Sequence, residues 1–231
     1  MVAEHARGSK FKAARTVFGD KAIMLRWLCE SHNVDYAEFE TQLHHRRTQA
    51  AKASTEHPMS REMHDAVTNF AASCAGCVVF TYVLGIGDRH NDNIMLQTCG
   101  KLFHIDFGHF LGNFKSKFGV NRERAPFVFT PSMAHVLHAL PNGYERFEEL
   151  ACRAFNALRQ HSTLLVSLFS LMVSCGIPEL KTAEDIHFLE RKLMLEATDQ
   201  EASQYLKSQI QIALKTKFTQ INDVAHVLRH Y

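Results

Sequence analysis

The sequence predicts an α+β fold, mainly α-helical, organised around one short β-hairpin that carries residues with metal-type chemistry. Apolar residues recur at helical spacing before residue 84 and again from Pro131 to the C-terminus. Between these regions two short apolar runs, residues 94–96 and 102–105, flank Gln97-Thr98-Cys99-Gly100, a turn sequence closed by glycine, and together they read as a hairpin. With 231 residues, 46% hydrophobic and 22% charged, the composition is that of one globular domain or one lobe of a larger one.

Residues 1–20 are polar and basic, with Gly8 and Gly19, and read as a loosely structured start. Ile23, Leu25, Trp27 and Leu28 predict a short helix over 21–29, opened by Asp20 as its cap. Residues 40–57 hold little to bury and predict an exposed helix or a surface loop ending at Pro58. A longer helix follows over 60–84, with Ser60 as N-cap and Val67, Phe70, Ala71, Cys74, Val78 and Tyr82 on the helical period. Gly85 and Gly87 break it and release a loop over 88–93. Beyond the hairpin, residues 109–124 predict a flexible stretch closed by Ala125-Pro126-Phe127. Dense Leu, Phe and Val over 147–158 and 163–172 predict two core helices; Gly176 and Pro178 end the second, and Thr182 or Asp185 opens the next. Leu206, Ile210, Leu214, Phe218, Ile221, Val224 and Leu228 then predict an amphipathic terminal helix over 200–231.

Several classes fall away on composition. A net charge of +2 leaves any anionic partner to local clustering, and no nucleic-acid partner is expected. Six cysteines without framework spacing predict reduced thiols and an intracellular home. The first residues lack the apolar core of a signal peptide, and the apolar run 164–177 is too short to span a bilayer. A soluble cytoplasmic protein is the expectation, with any membrane role peripheral. Cys74-x-x-Cys77 lies on an apolar helix with no second pair, so it reads as core packing rather than a redox or zinc site.

The chemistry concentrates at the mouth of the hairpin. Asn93 stands at its entrance and Asp106 at its exit, so antiparallel pairing brings an amide oxygen and a carboxylate side by side. Asp88 precedes Asn93 by five residues, and Phe107 and Gly108 follow Asp106. An aspartate, an asparagine five positions on and a hairpin leading to Asp-Phe-Gly is the order kinases use for phosphoryl transfer. Hard oxygen ligands of this kind suit Mg2+.

Tyr82-Val-Leu-Gly-Ile-Gly-Asp-Arg-His-Asn-Asp-Asn-Ile-Met, taken with Leu102-Phe-His-Ile-Asp-Phe-Gly-His109, closely resembles the catalytic core of the phosphoinositide 3-kinases. The order Asp-Arg-His, in place of His-Arg-Asp, separates that group from ordinary protein kinases. Ser73-Cys-Ala-Gly76, Phe110-Leu-Gly-Asn-Phe-Lys-Ser-Lys-Phe-Gly119, Arg122-Glu-Arg124 with Pro126-Phe127, and Gly176-Ile-Pro-Glu-Leu180 extend the likeness. It runs from about Lys10 to the C-terminus and is strongest over 73–132. The resemblance implies the C-terminal lobe of a protein-kinase-like fold, with a catalytic loop at 88–93 and an activation loop at 106–127. It implies ATP-dependent phosphorylation of an inositol 3-hydroxyl with ATP and Mg2+ as cofactors.

In that frame His90 is the general base, and Asp88 orients the acceptor hydroxyl or His90. Asn93 and Asp106 bind Mg2+, His109 contacts the γ-phosphate, and Arg89 is a structural anchor pairing with a carboxylate. Phe107 and Gly108 shape the motif. Lys115, Lys117, Arg122 and Arg124 read the substrate, because extra ring phosphates need extra cations. That basic loop resembles class I enzymes, which act on phosphatidylinositol 4,5-bisphosphate; class II, which keeps the Arg-x-Arg-Ala-Pro-Phe end, is the closest rival. Phe114 and Phe118 either anchor the loop or touch the bilayer. Lys215, Lys217, Arg229 and His230 on the terminal helix would meet an anionic surface, whereas Asp223 disfavours insertion. The implied partners are a phosphoinositide lipid, peripheral contact with the plasma membrane, and a regulatory subunit bound through regions outside this chain.

A kinase also needs a glycine- or serine-rich phosphate loop and a strand lysine. Neither precedes Asp20. The chain therefore reads as a C-terminal lobe without its N-terminal lobe, either a fragment or a truncated product, and inactive alone. The competing reading is a non-catalytic lobe that binds a partner or a membrane.

Overall fold

The computed structural model of the 231-residue chain describes residues 20–48, 59–87, 89, 93–112, 116–117, 120–121 and 125–216. Helix α1 (Ile23–Ser31) buries Leu25, Leu28 and Cys29. Its cap position is Ala22, not the expected Asp20. Asp20 sits two residues upstream, accepting the Ala22 N–H at 2.9 Å and pairing with Arg26 at 2.7 Å. Helix α2 (Tyr36–Thr48) occupies ground where the sequence left helix and loop both open. It has more to bury than its polar composition suggests, because Phe39 and Leu43 reach the core.

Helix α3 (Arg61–Val83) is the axis of the lobe. Ser60 accepts from the Met63 N–H at 3.2 Å, the N-cap its spacing predicts. Met63, Val67, Phe70, Cys74, Val78 and Tyr82 are buried along it. By length and composition α3 could cross a membrane, but 67% of its apolar window is buried inside the fold, as in a core helix. Cys74 and Cys77 both lie in that core.

Strands β1 (Ile94–Leu96) and β2 (Leu102–His104) pair antiparallel, Ile94 opposite His104 and Leu96 opposite Leu102. The hairpin lies directly on α3. Gly100 has φ +86°, and a Cβ on it would stand 1.8 Å from the Ala66 carbonyl oxygen. The Leu102 N–H donates to the Ser73 hydroxyl at 2.9 Å, and the Asn69 amide donates to the Cys99 carbonyl at 3.0 Å. Within the stretch predicted to be flexible, β3 (Ser116–Lys117) and β4 (Val120–Asn121) pair antiparallel.

The rest is helical. Helix α4 (Pro131–Leu137) opens with Thr130 accepting from the Met133 N–H and with proline in its first turn. Helix α5 (Gly143–Gln160) buries Phe147, Ala151 and Phe155 against the core. Helix α6 (Ser162–Met172) runs on through a 3-10 turn, Val173–Cys175, to Gly176 at φ +76°. Predicted as a core helix, α6 holds no fully buried residue. Leu165, Val166 and Phe169 pack partly against the core, while Leu164, Leu168 and Leu171 stand 61%, 49% and 74% exposed. Its apolar residues surround the helix, and with one side packed the rest stays open.

Helix α7 (Ala183–Leu193) uses both residues named as openers. Asp185 accepts the N–H groups of Lys181 and Thr182 and the Thr182 hydroxyl. Helix α8 (Asp199–Lys215) starts from a reciprocal Thr198–Glu201 capping box. Arg159, almost buried, ties α5 to the α7–α8 connection through the carbonyls of Leu193, Met194 and Ala197 and the Asp199 carboxylate. Of the predicted terminal stripe, Leu206, Ile210 and Leu214 lie on α8, whereas Phe218, Ile221, Val224 and Leu228 lie outside the described residues.

Candidate active site

The site begins where α3 ends. Leu84 caps the helix, Gly85 turns to φ +56°, and the chain closes with Gly85 N–H on the Tyr82 carbonyl and Ile86 N–H on the Thr81 carbonyl. This paired closure is a Schellman turn, and it needs a residue without a Cβ penalty at Gly85. The chain then enters the loop that carries Asp88, Arg89 and His90. Asp88 and His90 lie outside the described residues, so their predicted roles stay expectations.

Arg89 is buried, 8% exposed. Its Nε donates to the Gly87 carbonyl at 2.8 Å, Nη1 to the Ile105 carbonyl at 2.7 Å and Nη2 to the Asp106 carbonyl. The guanidinium also lies 5.6 Å from the centre of the Phe107 ring. These three bonds go to backbone carbonyls. One planar cation with several donors can staple two chain segments in this way.

Asn93 stands one residue before β1 and Asp106 two residues after β2, and the register sets Asn93 opposite Ile105 rather than opposite Asp106. The Ile105 N–H donates to the Asn93 carbonyl at 3.0 Å, extending the ladder by one residue, and Asp106 follows directly. Asp106 has φ +58°, outside the strand region, so the strand's alternation ends there and its side chain is exposed. A positive φ at a non-glycine residue costs roughly 1–2 kcal/mol. Arg89, on the Ile105 and Asp106 carbonyls, and the Phe107 ring hold the turn in place. Phe107 meets Phe80 edge-on at 5.8 Å, and Phe80 meets His104 in the same way at 5.8 Å.

The Asn93 amide and the Asp106 carboxylate are hard oxygen donors of the kind Mg2+ takes. Among the described residues no three His, Cys, Asp or Glu side chains converge to hold a metal by themselves. Among the described residues, a Cβ on Gly108 would meet the Asp106 carboxylate, at 3.6 Å. His109 follows, half-buried, its carbonyl accepting the Gly87 N–H at 2.8 Å. Of the four predicted substrate-reading cations, Lys117 has only its backbone described, in β3. Lys115, Arg122 and Arg124 lie outside the described residues.

A family model for phosphatidylinositol 3- and 4-kinase matches residues 3–182. The chain belongs to that family. It is 51% identical over 170 residues to phosphatidylinositol 3-kinase 2 of Dictyostelium discoideum, an alignment covering 73% of this chain and 9% of the relative. Phosphatidylinositol 3-kinase 1 of the same organism is 49% identical over 170 residues, 73% of this chain and 11% of that protein. A Homo sapiens relative, phosphatidylinositol 4-phosphate 3-kinase C2 domain-containing subunit beta, is 46% identical over 174 residues, 74% of this chain and 11% of its own length. The chain thus spans about a tenth of the length of these relatives. A mostly helical lobe with a small antiparallel hairpin is consistent with the C-terminal lobe of such a lipid kinase.

Three contributors escaped the sequence reading. Phe80 falls on the predicted helix as one apolar residue among many, and only the fold brings it against Phe107. His104 looked like a strand residue, yet it is 7% exposed and its Nδ1 finds no hydrogen-bond partner among the described residues. Phe188, on α7, belongs to a region far along the chain. The available signal was Gly112, which has φ +79° and whose missing side chain leaves room for that ring.

Proposed function

We propose that this chain provides the catalytic and metal-holding half of a phosphoinositide 3-kinase that transfers the γ-phosphoryl of ATP to the inositol 3-hydroxyl of a phosphoinositide. The observation that carries the proposal is Arg89 bonded to the Ile105 and Asp106 carbonyls, beside an Asn93 paired with Ile105. It fixes the backbone of the segments that carry the Asp106 carboxylate and the Asn93 amide. ATP supplies the phosphoryl group, and Mg2+ neutralises charge on its phosphates. For this chain, Asn93 and Asp106 hold the metal, His90 takes the hydroxyl proton, Asp88 orients it, and His109 faces the transferred phosphoryl. The 231 residues by themselves are proposed not to turn over. The working enzyme acts from the cytoplasm at the plasma membrane surface.

On substrate, the four cations Lys115, Lys117, Arg122 and Arg124 favour phosphatidylinositol 4,5-bisphosphate, because each ring phosphate wants its own cation. A second reading, phosphatidylinositol 4-phosphate, is favoured by the printed name of the Homo sapiens relative.

The test joins this chain to the part of the Dictyostelium phosphatidylinositol 3-kinase 2 that precedes the match, and supplies vesicles holding either lipid. The joined enzyme phosphorylates lipid, the 231-residue chain alone does not, and Lys115→Ala with Lys117→Ala loses the bisphosphate at least tenfold more than the monophosphate. Phosphorylation of peptide with no lipid product would sink the reading. Equal losses on both lipids would move the substrate to the second one.

A further inference from the structure

Two strand-like hydrogen bonds join the start of the catalytic loop to the segment after Asp-Phe-Gly. The Gly87 N–H donates to the His109 carbonyl at 2.8 Å, and the Leu111 N–H donates to the Leu84 carbonyl at 2.7 Å. The crossing is conformationally demanding: Gly85, Leu111 and Gly112 have φ of +56°, +53° and +79°. Nothing in either segment's own sequence makes these conformations the favoured ones for Leu111. What covers the crossing comes from elsewhere. A Cβ on Gly85 would stand 2.5 Å from Cζ of Phe188, and one on Gly112 would stand 2.7 Å from Cε2 of the same ring. One aromatic side chain therefore rests against both glycines at once.

That ring is firmly seated. Leu189 and Leu193 root α7 in the core, and Arg159 holds the carbonyl of Leu193 from α5. Lys192, one turn beyond Phe188, places its ammonium 5.5 Å from the Phe188 ring and 4.6 Å from the ring of Tyr82 on the last turn of α3. We infer that Phe188 is a positioning residue: its ring clamps the Gly85–Gly112 crossing and so fixes the distance between the catalytic loop and the Asp106 turn. The inference rests on the kinase reading for its catalytic consequence and on geometry alone for the clamp. Phe188 touches neither substrate nor metal, so it acts on turnover through the backbone it holds.

The clamp is tested on the 231-residue chain by amide hydrogen exchange. Phe188→Ala speeds exchange at Gly87 and Leu111 at least tenfold and leaves the amides of Ala151 and Phe155 in α5 unchanged; Phe188→Leu restores part of the protection. Gly112→Ala pushes a methyl into the ring, so it speeds exchange at Leu111 more in the parent background than beside Phe188→Ala. Uniform acceleration across the lobe, or an equal Gly112→Ala effect in both backgrounds, would overturn the clamp. In the joined enzyme, Phe188→Ala lowers kcat about tenfold with little change in KM for ATP. An unchanged kcat alongside lost protection would overturn the positioning role and leave the kinase reading intact. A joined enzyme that phosphorylates no lipid with Phe188 in place would overturn the kinase reading instead, and the exchange result would still decide the clamp.

Discussion

His104 shows how one side chain records its surroundings. It sits on β2 with its ring edge-on to Phe80, and burial first, then the charge of Arg89, push its imidazole down to about 4. The sign follows from linkage. Above pH 6.5 the ring is neutral in both folded and unfolded chains and contributes nothing to pH dependence. Between about 6.5 and 4 the unfolded chain takes up a proton that the folded one refuses, so stability falls as pH falls, by about 3 kcal/mol in all. Denaturant titrations at pH 7 and pH 4 should show a smaller acid loss for His104→Leu than for the parent, by roughly that amount. Equal losses in the two proteins would refute it. The apolar run 102–105 could be read from the sequence and placed His104 in the hairpin. It could not say that the face it shares with Leu102 is the buried one, because a three-residue strand fixes no face until something packs on it.

At the scale of elements, caps and turns were the most legible features because they are local. Ser60, Thr182 with Asp185, and Gly176 act close to where their residue types say they should, since each satisfies backbone groups within a few positions. Asp20 failed by two residues for the same local reason, as a carboxylate can bond the N–H just ahead of a helix as well as those within it. Helix α6 failed for a non-local one: its composition says apolar, and only neighbours decide which side is covered. The hairpin stands between these cases. Its existence was legible, and its register and its seat on α3 were not. That seat makes Gly100 the most sensitive point of the turn. Gly100→Ala combines a disfavoured φ with a backbone collision at Ala66, and a loss of at least ~2 kcal/mol is expected from the two effects. Urea unfolding measures it directly, and a change under about 0.5 kcal/mol would show that the hairpin floats free of the helix.

Across the whole molecule, the aspartate–asparagine–hairpin–aspartate order pointed to the kinase family because it is written in one stretch. The packing around that stretch draws on Phe80, Phe188 and Arg159 from three helices, and only tertiary structure brings each to its place. The core that gathers them also sorts the six thiols. Cys29, Cys74, Cys77 and Cys152 are buried, whereas Cys99 and Cys175 are exposed. Burial pushes the Cys29 and Cys77 thiols up to about 11, and it raises Cys152 and, further, Cys74. At pH 8 two thiols should therefore react promptly with a disulfide reagent and four only on unfolding; three or more prompt ones would contradict the packing. Cys99 occupies the hairpin turn, at the opposite end of the strands from Asn93 and Asp106. With Cys175 changed to serine, a single dye on Cys99 would make the hairpin its own optical gauge, watching the end that carries Asn93 and Asp106 without touching it.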